Sequence, residues 1–244
     1  MRKLRALITR PRSEADALAA ALARRGIVAT VEPLIEIRFA AAAAPDLSGV
    51  QAVLCTSANG VRALAQASAE RGVPLFAVGD VTASRARAEG FLSVESAGGD
   101  AGDLARLVCA RLHPGAGRLV HVAGNAVAGD LAGALRGAGF AIDRAVLYEA
   151  RPVARLSEAA IAAFAAGEIG VALFFSPRTA VIFARLAAAC GVVEMLDAVD
   201  AVSISPGADA ALAGLPFRER LIAAAPTQAA MLDRVDALLA VLPA

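Results

Sequence analysis

Seven short strings in this chain place a small hydroxyl, amide or guanidinium side chain just after an apolar run. They are Thr9-Arg10-Pro11-Arg12, Thr56-Ser57-Ala58-Asn59-Gly60, Gly79-Asp80-Val81-Thr82, Gly124-Asn125, Ser176-Pro177-Arg178-Thr179, Ser205-Pro206-Gly207 and Pro226-Thr227-Gln228. Nearly all precede an Ala-rich stretch of helical period. In an open parallel sheet such turns share one edge, beyond the carboxyl ends of the strands, where ligands bind. A helix start leaves backbone N–H groups unpaired and carries the positive end of the helix dipole, which suits it to anions. Ser and Thr at these places are equally ordinary helix N-caps. No one string separates the two readings, but their recurrence on a common edge favours a shared anionic ligand. Arg10, Arg12, Arg62 and Arg178 add guanidinium groups that match carboxylate geometry.

What is missing narrows the chemistry. The chain has no G-x-x-x-x-G-K-[ST] phosphate loop and no G-x-G-x-x-G after a strand; Gly137-Ala138-Gly139 ends a helical pattern instead. There is no G-x-S-x-G elbow. Cys55, Cys109 and Cys190 are odd in number and far apart, so they form neither a disulfide framework nor a C-x-x-C pair, and each reads as a small buried hydrophobe. His113 precedes Pro114, His121 lies in a strand-like run, and neither has a ligand cluster beside it, so no metal site is expected. An enzyme built this way would work by binding and orientation more than by reactive side chains. A two-lobed binding module, and a transferase using a nucleotide-activated donor, stay open as alternatives on these residues alone.

A length of 244 residues allows one large domain or two ordinary ones. Hydrophobic residues make up 58% of the chain, but much of the excess is alanine, and no apolar run reaches the roughly 18–20 residues of a spanning helix. The amino-terminal Met1-Arg2-Lys3-Leu4-Arg5 lacks the uninterrupted apolar stretch of a signal peptide. The expectation is a cytoplasmic protein without membrane contact. A net charge of +1 gives no global field to attract nucleic acid. Lys3 is the only lysine, so the basic charge is carried almost wholly by arginine, a bias in keeping with the abundance of alanine and also with an anionic ligand.

Apolar runs alternate with helical stretches along the whole chain, which predicts β-α units and parallel sheets. The strand candidates are 4–9, 28–32, 52–56, 75–78, 93–95, 119–123, 142–148, 171–175, 202–204 and 221–224. The first helix is predicted over 13–25, with Ser13 as N-cap and Gly26 closing its end. Ten strands divide more naturally into two sheets of five, and internal similarity supports the division. Residues 52–57 line up with 171–176, 78–80 with 204–206, and 100–108 with 227–235. The second copy lacks a leading strand-helix-strand, which residues 1–33 can supply. The expected fold is therefore α/β: two flavodoxin-like parallel-sheet lobes, one of them discontinuous. Residues 1–36 and 151–244 form the discontinuous lobe, residues 40–147 are inserted in it, and the connectors 33–39 and 147–153 pair as two β-strands.

Six strings, in order and spanning the chain, make the sequence resemble the uroporphyrinogen-III synthase family. They are Leu7-Ile8-Thr9-Arg10-Pro11, Thr56-Ser57-Ala58-Asn59-Gly60-Val61, Phe76-Ala77-Val78-Gly79, Val146-Leu147-Tyr148-Glu149, Phe174-Phe175-Ser176-Pro177-Arg178 and Pro226-Thr227. The resemblance implies a two-lobed fold joined by a β-ladder, with a cleft between the lobes, and a monomeric enzyme of tetrapyrrole synthesis that needs no cofactor. The implied substrate is hydroxymethylbilane, a linear tetrapyrrole with eight carboxylates, cyclised with inversion of ring D through a spiro intermediate. It assigns Tyr148, the only tyrosine, to the departure of the terminal hydroxyl; the residue reads equally as an aromatic packed at the connector. It places Ser57, Thr82, Ser176 and Thr227 on the substrate, with Gly79 admitting the ligand close to the backbone. Asn59 stands in the same string as Ser57, and Arg10, Arg12, Arg62 and Arg178 supply charge-assisted contacts. The loop 123–130 lacks the basic residues usual in the family, so no arginine contact is expected from it.

Overall fold

The computed structural model describes residues 5–40, 44–126 and 129–241, and for Ser13 the backbone alone. Residues 1–4, which include the start of the amino-terminal strand candidate, lie outside the described residues, as do the Ser13 cap and Val127-Ala128 of the loop 123–130.

The chain runs β1 (Arg5–Ile8), α1 (Arg12–Ala23), β2 (Val28–Val31), β3 (Ile35–Phe39), β4 (Val50–Cys55), α2 (Ala58–Ala67), β5 (Leu75–Ala77), α3 (Asp80–Ala88), β6 (Val94–Ser96), α4 (Ala101–Arg111), β7 (Arg118–Gly124), α5 (Leu131–Gly137) and β8 (Ile142–Pro152). It continues α6 (Glu158–Ala165), β9 (Ile169–Phe174), α7 (Pro177–Ala189), β10 (Asp200–Ser203), α8 (Pro206–Ala210), β11 (Glu219–Ile222) and α9 (Gln228–Val241). It forms two compact units, Met1–Glu36 with Pro152–Ala244, and Ile37–Arg151.

The discontinuous unit is built on a sheet of order β11-β10-β9-β1-β2, parallel throughout. Strands buried on both faces must be apolar nearly residue by residue, and Val171, Ala172, Leu173 and Phe174 have no exposed surface. Alternation sends Val171 and Leu173 to one face, where they pack with Leu18, Leu22, Met231 and Val235 of α1 and α9. Phe174 goes to the other face and meets Phe183 edge-on, ring centroids 5.1 Å apart.

In the inserted unit the order is β3-β8-β7-β4-β5-β6, and every pair from β8 to β6 is parallel. One face carries Val53, Cys55, Val61, Val122 and Tyr148, the other Leu54, Leu104, Leu119 and Leu135. Sequence reasoning ends the strand candidate at Tyr148 and pairs the connectors 33–39 and 147–153. β3 does lie beside the end of β8, but as part of one continuous sheet: β8 runs unbroken from Ile142 to Pro152, and β3 is the sixth strand. The Ala40 N–H donates to Leu147 O at 2.9 Å and the Val153 N–H to Leu34 O at 3.1 Å, an antiparallel sense.

Helix starts follow the hydroxyl and carboxylate residues. Ser57, Ser157, Ser176 and Ser205 each accept a backbone N–H of the first turn, and Asp100 with Asp103 forms a reciprocal capping box on α4. α1 differs from expectation: it begins at Arg12 after Pro11, which has no side chain to cap it. The cysteines differ too. Cys55 is buried on β4, but Cys109 is exposed and Cys190 half-exposed, because α4 turns Leu104, Ala105 and Val108 inward and leaves Cys109 on its outer face.

Candidate functional site

Parallel strands bring their following turns to one edge of each sheet. In the inserted unit this edge holds Ser57 after β4, Gly79 after β5 and Gly124 at the end of β7. Tyr148 lies on β8 directly opposite Gly124. The Ser57 hydroxyl oxygen is 2.8 Å from the Tyr148 phenol oxygen and also accepts the Gly60 N–H at 3.1 Å. Tyr148 is 8% exposed, and its carbonyl accepts the Asn125 N–H at 3.1 Å.

Gly124 explains how the ring fits. A Cβ there would stand 2.8 Å from both Cε2 and Cζ of Tyr148 and 3.2 Å from its oxygen. The absent side chain is the space the phenol occupies. Gly79, by contrast, has extended backbone, φ −163°, and a Cβ at that position would find its nearest neighbour, Gly99 O, at 3.9 Å. No close approach within the unit demands glycine there.

Asn59 and Arg62 form a second pair in α2: Arg62 Nη1 donates to Asn59 Oδ1 at 3.1 Å. Asn59 is buried and Arg62 half-buried. Thr82 is buried in α3 and only 5% exposed, which leaves little of it to offer a ligand. On β7, His121 Nε2 stands 3.4 Å from Thr56 Oγ1. Burial, helped by the nearby Arg144 charge, pushes its pKa down to about 4, so the imidazole is neutral at physiological pH.

The same edge of the discontinuous unit carries Arg10 after β1, Ser176 after β9 and Thr227 before α9. Arg10 is already well held. Its guanidinium donates to Glu14 Oε2 from Nη2 at 2.7 Å and Nε at 3.1 Å, and to Gln228 Oε1 at 3.3 Å. It also lies over the Phe175 ring, 4.5 Å from the centroid. Ser176 accepts the Thr179 N–H at 3.1 Å, with the two hydroxyl oxygens 3.0 Å apart. Thr227 Oγ1 accepts the Ala230 N–H at 3.2 Å. Arg178 is exposed in the first turn of α7.

Arg12 lines a cavity of about 570 Å³ with Arg155, Glu32, Ser157 and Glu158 around an apolar floor that includes Val31 and Leu156. Sequence reasoning named Arg12 but not Arg155 or the Glu32 carboxylate, whose significance depends on contacts between distant segments. Gly124 and Phe175 also lay in strings already singled out, yet nothing in their types announced a seat for the phenol or a plate beneath Arg10. Among the described residues, no group of three or more His, Cys, Asp or Glu is arranged to hold a metal ion, and no helix is long and apolar enough to cross a membrane.

The sequence profile described as uroporphyrinogen-III synthase HemD matches residues 16–233. No curated protein matches the chain. Among solved structures, uroporphyrinogen-III synthetase from Helicobacter pylori 26695 is similar with a TM-score of 0.67 at 18% identity, covering 98% of this chain and 100% of that one. A mutant uroporphyrinogen III synthase from the extremely thermophilic bacterium Thermus thermophilus gives 0.55 at 18% identity, covering 97% and 99%. At this identity the structural likeness speaks to fold.

Proposed function

The chain belongs to the uroporphyrinogen-III synthase family of enzymes, and from that premise we propose that it cyclises hydroxymethylbilane to uroporphyrinogen III with inversion of ring D. The terminal hydroxyl leaves as water and gives an azafulvene. Ring D attacks through its substituted carbon, a spiro intermediate forms, and its fragmentation lets the ring close the other way round. The pyrroles supply the reactivity; the protein supplies conformation and excludes the competing closure, which is catalysis by orientation.

The observation that carries this reading is the family match across residues 16–233. Capped helix starts on one edge of each sheet support it, because a polycarboxylate needs many anion contacts. In this reading Tyr148 assists departure of the hydroxyl. Carboxylates are met by Arg10, Arg12, Arg62 and Arg178 and by the helix starts that follow Ser57, Gly79, Ser176 and Thr227, with Asn59 and Thr82 supporting the first turns from inside. No cofactor takes part, and the protein works as a cytoplasmic monomer. The test is to supply freshly made hydroxymethylbilane and separate the ring isomers. The type III isomer is expected; formation of type I alone, at the spontaneous rate, overturns the proposal.

A further inference from the structure

We infer that Ser57 and Gly124 are positioning residues for Tyr148: the gap at Gly124 seats the phenol ring, and Ser57 donates its hydroxyl proton to the phenol oxygen, leaving the Tyr148 O–H free to donate to the substrate. The inference rests on the reading of Tyr148 as proton donor.

A serine hydroxyl has one hydrogen and two lone pairs. One lone pair of Ser57 is engaged by the Gly60 N–H at 3.1 Å, at the start of the ten-residue α2. The phenol oxygen, 2.8 Å away, can receive its hydrogen. Accepting a backbone N–H polarises the serine hydroxyl and strengthens it as a donor, and the phenol polarised in turn becomes a stronger donor itself. The reverse arrangement would spend the phenolic proton inside the protein and leave the serine hydrogen unused.

The backbone beneath the ring is fixed from both sides. Arg144 Nη2 donates to Gly124 O at 2.6 Å, and the Asn125 N–H holds the Tyr148 carbonyl at 3.1 Å. Above, the ring belongs to the buried cluster of Val61 and Val122. A methyl at Gly124 would overlap Cε2 and Cζ at 2.8 Å, and the ring has little room in which to yield, so its oxygen must leave Ser57.

The proton step balances as follows. The C–O bond of the substrate breaks with its electron pair on oxygen, that oxygen takes the phenolic proton, and water leaves. The pyrrole nitrogen supplies the pair that completes the azafulvene, and the proton it then sheds replaces the one lost by the phenol. Ser57 stabilises the phenolate in between.

The experiment measures kcat and KM with hydroxymethylbilane for Ser57→Ala, Tyr148→Phe, their double variant, Ser57→Thr, Ser57→Asp and Gly124→Ala. Tyr148→Phe should lower kcat on the order of 100-fold. Ser57→Ala should lower kcat about tenfold with KM changed less than about twofold, and the double variant should be no slower than Tyr148→Phe. Ser57→Thr keeps both hydroxyl and cap and should restore kcat. Ser57→Asp keeps the cap but has no proton to donate at neutral pH, so it should be as slow as Ser57→Ala; it also serves if loss of the cap unfolds the alanine variant. Gly124→Ala should fall towards Tyr148→Phe. If the double variant shows the full product of the two single losses, or Ser57→Asp turns over at the native rate, Ser57 does not act through Tyr148 and the inference fails while the role of Tyr148 stands. A native rate for Tyr148→Phe removes the proton donor, and the inference with it.

Discussion

Ser157 satisfies both oxygens of the Glu32 carboxylate: its backbone N–H donates to Oε1 at 2.7 Å and its hydroxyl to Oε2 at 2.6 Å. Glu32 is 5% exposed and follows β2, ahead of the inserted unit. Ser157 caps α6, the first helix after that unit. The two residues are 125 positions apart in sequence. Their hydrogen bonds therefore tie together the two chain segments from which the discontinuous unit is assembled, and they do so without ordering any long side chain at the surface.

The first prediction concerns this tie. Hydrogen bonds to a charged group are the stronger kind, and Glu32 holds two of them, although the exposed Ser157 can turn its donors to water once the carboxylate is gone. Glu32→Ala should cost about 3 kcal/mol, and Ser157→Ala, which loses one bond and the cap, about 2 kcal/mol. Urea denaturation followed by far-UV circular dichroism would show lowered midpoints. A Glu32→Ala midpoint equal to that of the native chain would mean the tie contributes nothing.

Arg10 and Arg12 should separate stability from binding. The Arg10 side chain is 22% exposed and engaged by Glu14, Gln228 and the Phe175 face. Arg12 is exposed and has no hydrogen bond or ion pair among the described residues. Arg10→Ala should lower stability by about 1 kcal/mol and raise KM. Arg12→Ala should leave stability unchanged within about 0.5 kcal/mol and raise KM several-fold through loss of a carboxylate contact. Thermal unfolding and steady-state kinetics on both variants check this; a destabilised Arg12→Ala contradicts it.

The contrast between these arginines shows what the sequence could carry. Hydroxyl residues after apolar runs announced the caps at Ser57 and Ser176, because a cap is a local matter of three or four residues. The parallel sheets were legible for the same reason: each apolar run is one buried strand. Side-chain pairings between distant segments were not. Glu14 stands one helical turn beyond Arg10, but Gln228 is 218 residues from it, and no local signal links them. The seat of Tyr148 depends on the register of β7 against β8, which shifts between Ala123 and Gly124. A side-chain period cannot foresee such a shift. Cys109 was misread because its surroundings along the chain are apolar while its direction on α4 is outward.

Stability should depend on pH through His121. In the unfolded chain this imidazole binds a proton near its ordinary value of 6.5, whereas burial and Arg144 hold the folded value at about 4. Between those values unfolding takes up a proton, so stability is complete above pH 6.5 and falls as the pH drops towards 4. The full loss is about 3 kcal/mol. His121→Gln should remove this component. Denaturation midpoints at about pH 4.5, 5.5 and 7 for both proteins check it: the gap between the two curves must change with pH across that window. A constant gap means His121 is not the linked group.

Thiol accessibility gives the last prediction. Cys55 lies on the buried face of β4 with Val53 and Val122, and burial pushes its thiol up to about 12. Because the thiolate is the reactive form, Cys55 should resist alkylation in the folded protein and react only when its sheet opens. Cys109, exposed on α4, should react first, and Cys190, half-exposed at the end of α7, more slowly. Iodoacetamide labelling followed by peptide mass spectrometry reads each site separately. Added at increasing urea concentration, the reagent should reach Cys55 only as the sheet of the inserted unit unfolds. Modification of Cys55 in native buffer at the rate of Cys109 would show that β4 is not a closed interior strand.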